Sequence, residues 1–231
     1  MISVIYAADL YRLPTLAASM YRDRAAQFRE RLGWAVEVDE YGHEFDDYDD
    51  LNPLYVIMQN ERGEHLGSGR LLPTTGRTML NDHFSELTGG MTIQSPLIWE
   101  TTRFCVSPRL ARNRREGIGV PAALLWAGCE IALRSGIEFY AGVFAEPMLR
   151  VYKSAGWEPE VLGSRYTREG TICAGLWEVT TETRDRLAER AGRLGRTPAL
   201  RFLPDESRVP AGSPLTATNA FAVTSALASY L

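Results

Sequence analysis

A chain of 231 residues with 45% hydrophobic and 23% charged side chains has room for one α/β domain with a full core and falls in the ordinary globular range. Its 25 basic and 29 acidic residues leave a net charge of -4, which gives no reason to expect a nucleic-acid partner. Three widely spaced cysteines, Cys105, Cys129 and Cys173, do not suggest a disulfide framework and point to a reducing cytoplasm. The start carries no signal-peptide pattern, and no run of about 18 apolar residues calls for membrane insertion.

In chain order, residues 2–6 read as a short opening strand. Pro14 then begins a helix in which Met20, Arg24, Phe28 and Leu32 recur at i, i+4 spacing until Gly33. Residues 39–52 are polar and acidic and read as a loop. Residues 54–58 form a strand, Asn60 to Gly63 a turn, and residues 67–72 a second strand ended by Pro73, together a hairpin. A further strand covers 96–107. From Asn113 the run Arg114, Gly117 and Gly119 leads into a helix with Val120, Leu124, Ala127 and Ile131 on one face, closing at Gly136. A strand at 139–144, a short helix at 148–154 and strands near 161 and at 172–179 complete a mixed sheet with helices on its faces. Beyond about residue 197 Pro, Gly, Ser, Ala and Thr become frequent, so a domain over 1–194 is expected to be followed by a tail, 195–231, partly disordered or packed as an add-on.

The chemistry has to come from polar residues placed among these elements. His43, His65 and His83 are isolated and no Cys-x-x-Cys pair occurs, so no metal site is expected. A Gly-x-Ser-x-Gly elbow and a Gly-x-x-x-x-Gly-Lys-Ser loop are both missing from the sequence, which removes serine hydrolases of that type and P-loop nucleotidases. What stands out is charge inside or beside apolar strands: Arg70, and Glu100 and Arg103 in the run from Trp99 to Phe104. Buried charges need partners, so Arg70 and Arg103 are expected to neutralise Glu100 or the loop carboxylates Asp46 and Asp49; the alternative is an edge strand whose charges face water. On a regular strand Ile98, Glu100, Thr102, Phe104 and Val106 share one face and Arg103 takes the other, so only a bulge would let Glu100 and Arg103 meet. Arg114-x-x-Gly-x-Gly119 before a helix offers backbone N–H groups to a phosphate, a pattern that resembles the acyl-carrier cofactor loop of N-acetyltransferases.

Five segments resemble one family in order. They are Arg24-x-x-x-Phe28-x-x-Arg31-Leu32-x-Trp34; Glu44-Phe45-Asp46-x-Tyr48-Asp49; Gly69 to Thr75 with Met79, Leu80 and Phe84 behind it; Glu100-Thr101-Thr102-Arg103-Phe104; and Met148 with Ala155-Gly156-Trp157. This pattern resembles the acyl-homoserine-lactone synthases, or autoinducer synthases, over roughly residues 1–180. The resemblance implies a three-layer α/β/α sandwich with a mixed sheet, similar to N-acetyltransferases. It implies acylation of S-adenosylmethionine from an acyl carrier protein or acyl-CoA, with no resident cofactor. By motif position Glu100, Arg103, Asp46, Asp49 and Arg70 would form the catalytic cluster. Arg24, Phe28, Trp34, Phe84, Thr102 and Phe104 would hold S-adenosylmethionine, with Arg24 gripping a carboxylate, and Val143, Phe144 and Ala145 would line the acyl pocket. Thr102 stands where the family often has serine, and Gly142 to Ala145 lacks the threonine frequent in members that take 3-oxo chains, so an unsubstituted or 3-hydroxy chain is expected. The rival readings are a general N-acyltransferase using acyl-CoA on another amine, and a catalytically inactive module that binds S-adenosylmethionine or a carrier protein.

Overall fold

The computed structural model describes residues 1–112, 114–192 and 199–203, with side chains described outside 111–118. Eight strands form one sheet in the order β6-β7-β5-β4-β3-β2-β1-β8. They are β1 (Ile2–Tyr6), β2 (Leu54–Gln59), β3 (His65–Pro73), β4 (Ile98–Val106), β5 (Phe139–Ala145), β6 (Glu160–Thr167), β7 (Gly170–Glu178) and β8 (Leu200–Leu203). Pairing is antiparallel except between β4 and β5 and between β1 and β8. The predicted hairpin is β2–β3, and the late strand at 200–203 lies inside the segment expected as a tail.

Helices cover both faces, and the strand sequences show why. In β1 and β2 apolar residues occupy alternate and intervening positions alike, as strands buried on two sides require. Val4 and Val56 pack toward α3 (Arg114–Ser135) with Val120, Leu124 and Ile131. Ile5, Tyr55 and Ile57 pack with Leu16 and Met20 of α1 (Pro14–Ala25). A third cluster, Leu80, Leu87, Ala141 and Ala174, forms under the short helix α2 (Met79–His83). Helices α4 (Met148–Ala155) and α5 (Thr181–Ala191) complete the α3 side. The expected α/β sandwich with a mixed sheet is therefore observed.

Two local outcomes differ from the sequence expectations, and a third decides between its alternatives. Helix α3 begins at Arg114, so Gly117 and Gly119 sit in its opening turns and do not form a loop ahead of it; the side chains of 114–118 lie outside the described residues. Helix α1 does not run unchanged to Gly33: Ala26–Arg31 widen into a π-helical turn, a feature that often accompanies functional sites. Strand β4 lies between β3 and β5, which removes the water-facing edge alternative for Glu100 and Arg103.

Candidate active site

Tyr55, Arg70 and Thr102 form one row across β2, β3 and β4, each the register partner of the next, so their side chains rise from the same face of the sheet. Arg70 donates from Nε to Thr102 Oγ1 at 2.9 Å, from Nη1 to Asp49 at 2.8 Å and from Nη2 to Asp46 at 3.1 Å. Arg24, on α1 above this row, donates from Nε to Glu44 at 2.6 Å and from Nη2 to Asp49 at 2.8 Å. Tyr55 donates its hydroxyl to Asp49. Arg103 reaches Glu44 and Asp46, its Nη2 lying 3.0 and 2.6 Å from their oxygens. Three guanidiniums thus meet three carboxylates, so the cluster is neutral and its members satisfy one another. Burial alone would raise the Asp46 and Asp49 carboxyls, but the hydrogen bonds and charges of the arginines outweigh it and hold both below the usual carboxylate range.

Arg103 joins this cluster through a bulge. Between the pairs Ser68–Cys105 and Arg70–Thr102, the single residue Gly69 opposes both Arg103 and Phe104, and Arg103 takes φ 50°. That extra residue turns Arg103 to the face of Glu100 and Thr102, and it sends Phe104 and Val106 to the α3 side, where they pack against the main core. The regular alternation expected for Phe104 and Val106 is thereby broken. The bulge does not bring Arg103 to Glu100. Glu100 is 1% exposed and accepts from the backbone N–H groups of Met79 at 3.0 Å and Leu80 at 2.6 Å, the first residues of α2. Burial pushes its carboxyl up to about 7, although both N–H bonds and the Arg70 charge favour the ionised form.

Just beyond Glu100 the sheet opens. Strands β4 and β5 pair over Ile98–Phe139, Trp99–Tyr140 and Glu100–Ala141 and then part, while each keeps its other neighbour to its end. Gly142 sits at the parting point: a Cβ there would lie 2.6 Å from the Thr101 carbonyl oxygen. A cavity of about 720 Å³ occupies the cleft. Thr102, Arg103 and Phe104 of β4 line it, with Phe28, Trp34 and Phe84, and so do Val143, Phe144 and Ala145 of β5. Phe28 and Trp34 stack with centroids 5.2 Å apart and planes 3° from parallel, and the Arg103 guanidinium lies 5.5 Å over the Phe28 ring. Arg24, Asp46, Asp49, Arg70 and Glu100 stand behind the wall.

A model of the autoinducer synthase family matches residues 10–187. The chain belongs to that family. An acyl-homoserine-lactone synthase of Rhizobium etli is 40% identical over 177 residues, 76% of this chain and 82% of the relative. A second, from Pseudomonas fluorescens, is 34% identical over 145 residues, 62% of this chain and 69% of the relative. Among solved structures, the synthase LasI superposes with a TM-score of 0.70 at 27% identity, covering 81% of this chain and 93% of LasI. The fold is also that of BjaI, a CoA-dependent synthase solved with SAM and isopentyl-CoA, with a TM-score of 0.75 at 24% identity over 87% of this chain and 92% of BjaI. The synthase is accordingly an enzyme of the acyltransferase class.

Two buried members of the synthase's charge cluster escaped the sequence reading. Glu44, 0% exposed, bridges Arg24 and Arg103, and Tyr55 anchors Asp49. Glu44 sits in the acidic motif two residues before Asp46, and that motif was the one sequence signal for it. Arg24, expected to grip a substrate carboxylate, is fully buried and already holds two protein carboxylates.

Proposed function

We propose that this synthase acylates the α-amine of S-adenosylmethionine from an acyl thioester, carried by acyl carrier protein or CoA. The acylated product then closes to N-acyl-homoserine lactone, a quorum-sensing signal, with release of methylthioadenosine. The observation that carries this reading is Glu100: a buried carboxylate with its proton affinity near neutrality, fixed by two N–H groups where β4 and β5 part to open the cavity.

Glu100 acts as general base, a role best filled by a group whose pKa lies near working pH. Because it stands behind Met79 and does not line the cavity, it takes the ammonium proton through one water. The freed amine attacks the thioester carbonyl; a C–N bond forms, the C–S bond breaks and the thiolate leaves. Backbone N–H groups of the parted stretch of β4 supply the oxyanion donors, since the pairing with β5 has ended there. The substrate's own carboxylate oxygen then displaces methylthioadenosine from the carbon next to the sulfonium. The Phe28–Trp34 stack and Phe84 offer aromatic faces to adenine and the sulfonium. Arg24, Arg70, Asp46 and Asp49 hold the acidic loop against the sheet, and Val143, Phe144 and Ala145 face the acyl chain, which is unsubstituted or 3-hydroxylated.

Expression in a bacterium that makes no such signal, followed by mass spectrometry of an extract of the medium for the homoserine-lactone fragment, tests the reaction. With purified protein, S-adenosylmethionine at about 100 times its Kd should add about 2.7 kcal/mol of stability. Stabilisation by acyl-CoA alone, with no lactone formed, would instead indicate an acyltransferase for another amine.

A further inference from the structure

Gly128 lies in the middle of the 22-residue helix α3 with no positive φ, a position where alanine is favoured over glycine. Packing does not require the glycine. A Cβ built there meets only Tyr140 Cε2, at 4.0 Å, an ordinary contact distance. Gly128 also lines the cavity, together with Leu124 and Leu125 one turn earlier, whereas Ile131 and Ala132 on the next turn do not. It is therefore the last cavity-lining residue along α3.

The same place is one end of the cavity, whose lining at the other runs to Gly69, Leu71 and Val56 on β3 and β2. Tyr140 pairs with Trp99 on one side and Trp177 on the other, before β4 and β5 part. Its ring is fixed from two directions: the hydroxyl donates to the Gly128 carbonyl at 3.0 Å, and the Trp157 ring packs edge-on at 6.0 Å. Tyr140, Trp157 and Trp177 are all within 5% exposure and all line the cavity. With the Tyr140 ring held by these contacts, the depth available to an apolar chain at this end depends on what projects from position 128.

We infer that Gly128 is a specificity-determining residue: its missing side chain leaves the room above Tyr140 that the end of the longest accepted acyl chain fills. This rests on the reading of the cavity as the acyl pocket. Filling the position shortens the chain that fits, and each methylene denied its burial lowers the long-chain rate about fourfold.

The test uses full-length wild type, Gly128→Ala and Gly128→Leu with a ladder of straight-chain acyl thioesters, reading kcat/KM for lactone formation together with thermal melting. Both variants are expected to melt at or above wild type. Relative to the shortest chain, kcat/KM for the longest chain wild type accepts should fall at least fourfold for alanine and further for leucine. Wild type that forms lactone, with folded variants keeping its long-to-short ratio, overturns the role of Gly128 alone; if the leucine variant does not fold, the alanine variant decides. Wild type that forms no lactone from any thioester overturns the functional reading and this inference with it.

Discussion

Arg103 and Glu44, 59 residues apart, meet through two donors on one oxygen: Nε at 3.1 Å and Nη2 at 3.0 Å from Glu44 Oε1. The other Glu44 oxygen accepts from Arg24. One buried carboxylate thus ties helix α1, the acidic loop and the bulge of β4 into a single unit, and its worth lies in the charge it neutralises.

Replacing Glu44 by glutamine leaves the cluster with an uncompensated positive charge in a buried setting, which should cost about 3–5 kcal/mol. Chemical denaturation measures this directly. Glu86→Gln, which breaks the half-exposed pair with Arg165, serves as control and should change stability by less than about 1 kcal/mol. Equal effects in the two variants would show that the buried cluster is not an energetic unit.

The Glu100 carboxyl rises from 4.5 to about 7 on folding, so the native state binds the extra proton and this group favours folding fully only below about pH 4.5. Its contribution is lost as pH rises through 7. Glu100→Gln should therefore gain stability relative to wild type between pH 4.5 and 8, by about 3 kcal/mol at most. His65 works the other way, since burial depresses its folded pKa, and taking the difference between the two proteins removes its part. Activity should fall by about 100- to 10,000-fold in the variant, and wild-type kcat/KM should rise with pH through a step near 7. A variant with near-normal turnover and an unchanged step would remove Glu100 as the base.

Trp34→Ala removes the part-exposed half of the stacked pair, whose other half, Phe28, is buried. If Trp34 offers its face to the adenine, that aromatic contact is worth about 0.5–1.5 kcal/mol, so KM for S-adenosylmethionine should rise about threefold to tenfold with kcat little changed. If KM stays put and only the melting temperature drops, the pair is core and not binding surface.

Gly142→Ala would place a methyl 2.6 Å from the Thr101 carbonyl oxygen, backbone that cannot swing aside. A destabilisation of about 1–3 kcal/mol is expected, accompanied by loss of lactone formation as the strands are forced apart beside Glu100. Wild-type denaturation midpoint and rate together would mean that the two strands do not need their close approach.

Most elements were legible in the sequence because period and punctuation marked them: Pro14 opens α1, Gly63 turns the β2–β3 hairpin, and Val120 through Ile131 trace α3. Elements without such marks were missed. Helix α2 is barely one turn, and α5 buries little beyond Thr183, Leu187 and Ala191, though Thr180 as its cap and Glu182 in its first turn were signals to read. Strand β8 has only four residues and exists through its pairing with β1.

By itself the sequence determined most of the alternating strands and helices, that Arg70 and Arg103 need carboxylate partners if buried, and the motifs that resemble one family. Only the tertiary structure decided which carboxylate each arginine holds, that Glu100 stands apart from them on the N–H groups of α2, and that Arg103 crosses to the loop side. The reason is geometric. Local propensity and period act over a few residues, whereas a bulge at Gly69 and the parting of β4 from β5 depend on how strands far apart in the chain are paired, and a pKa depends on how much water that pairing excludes.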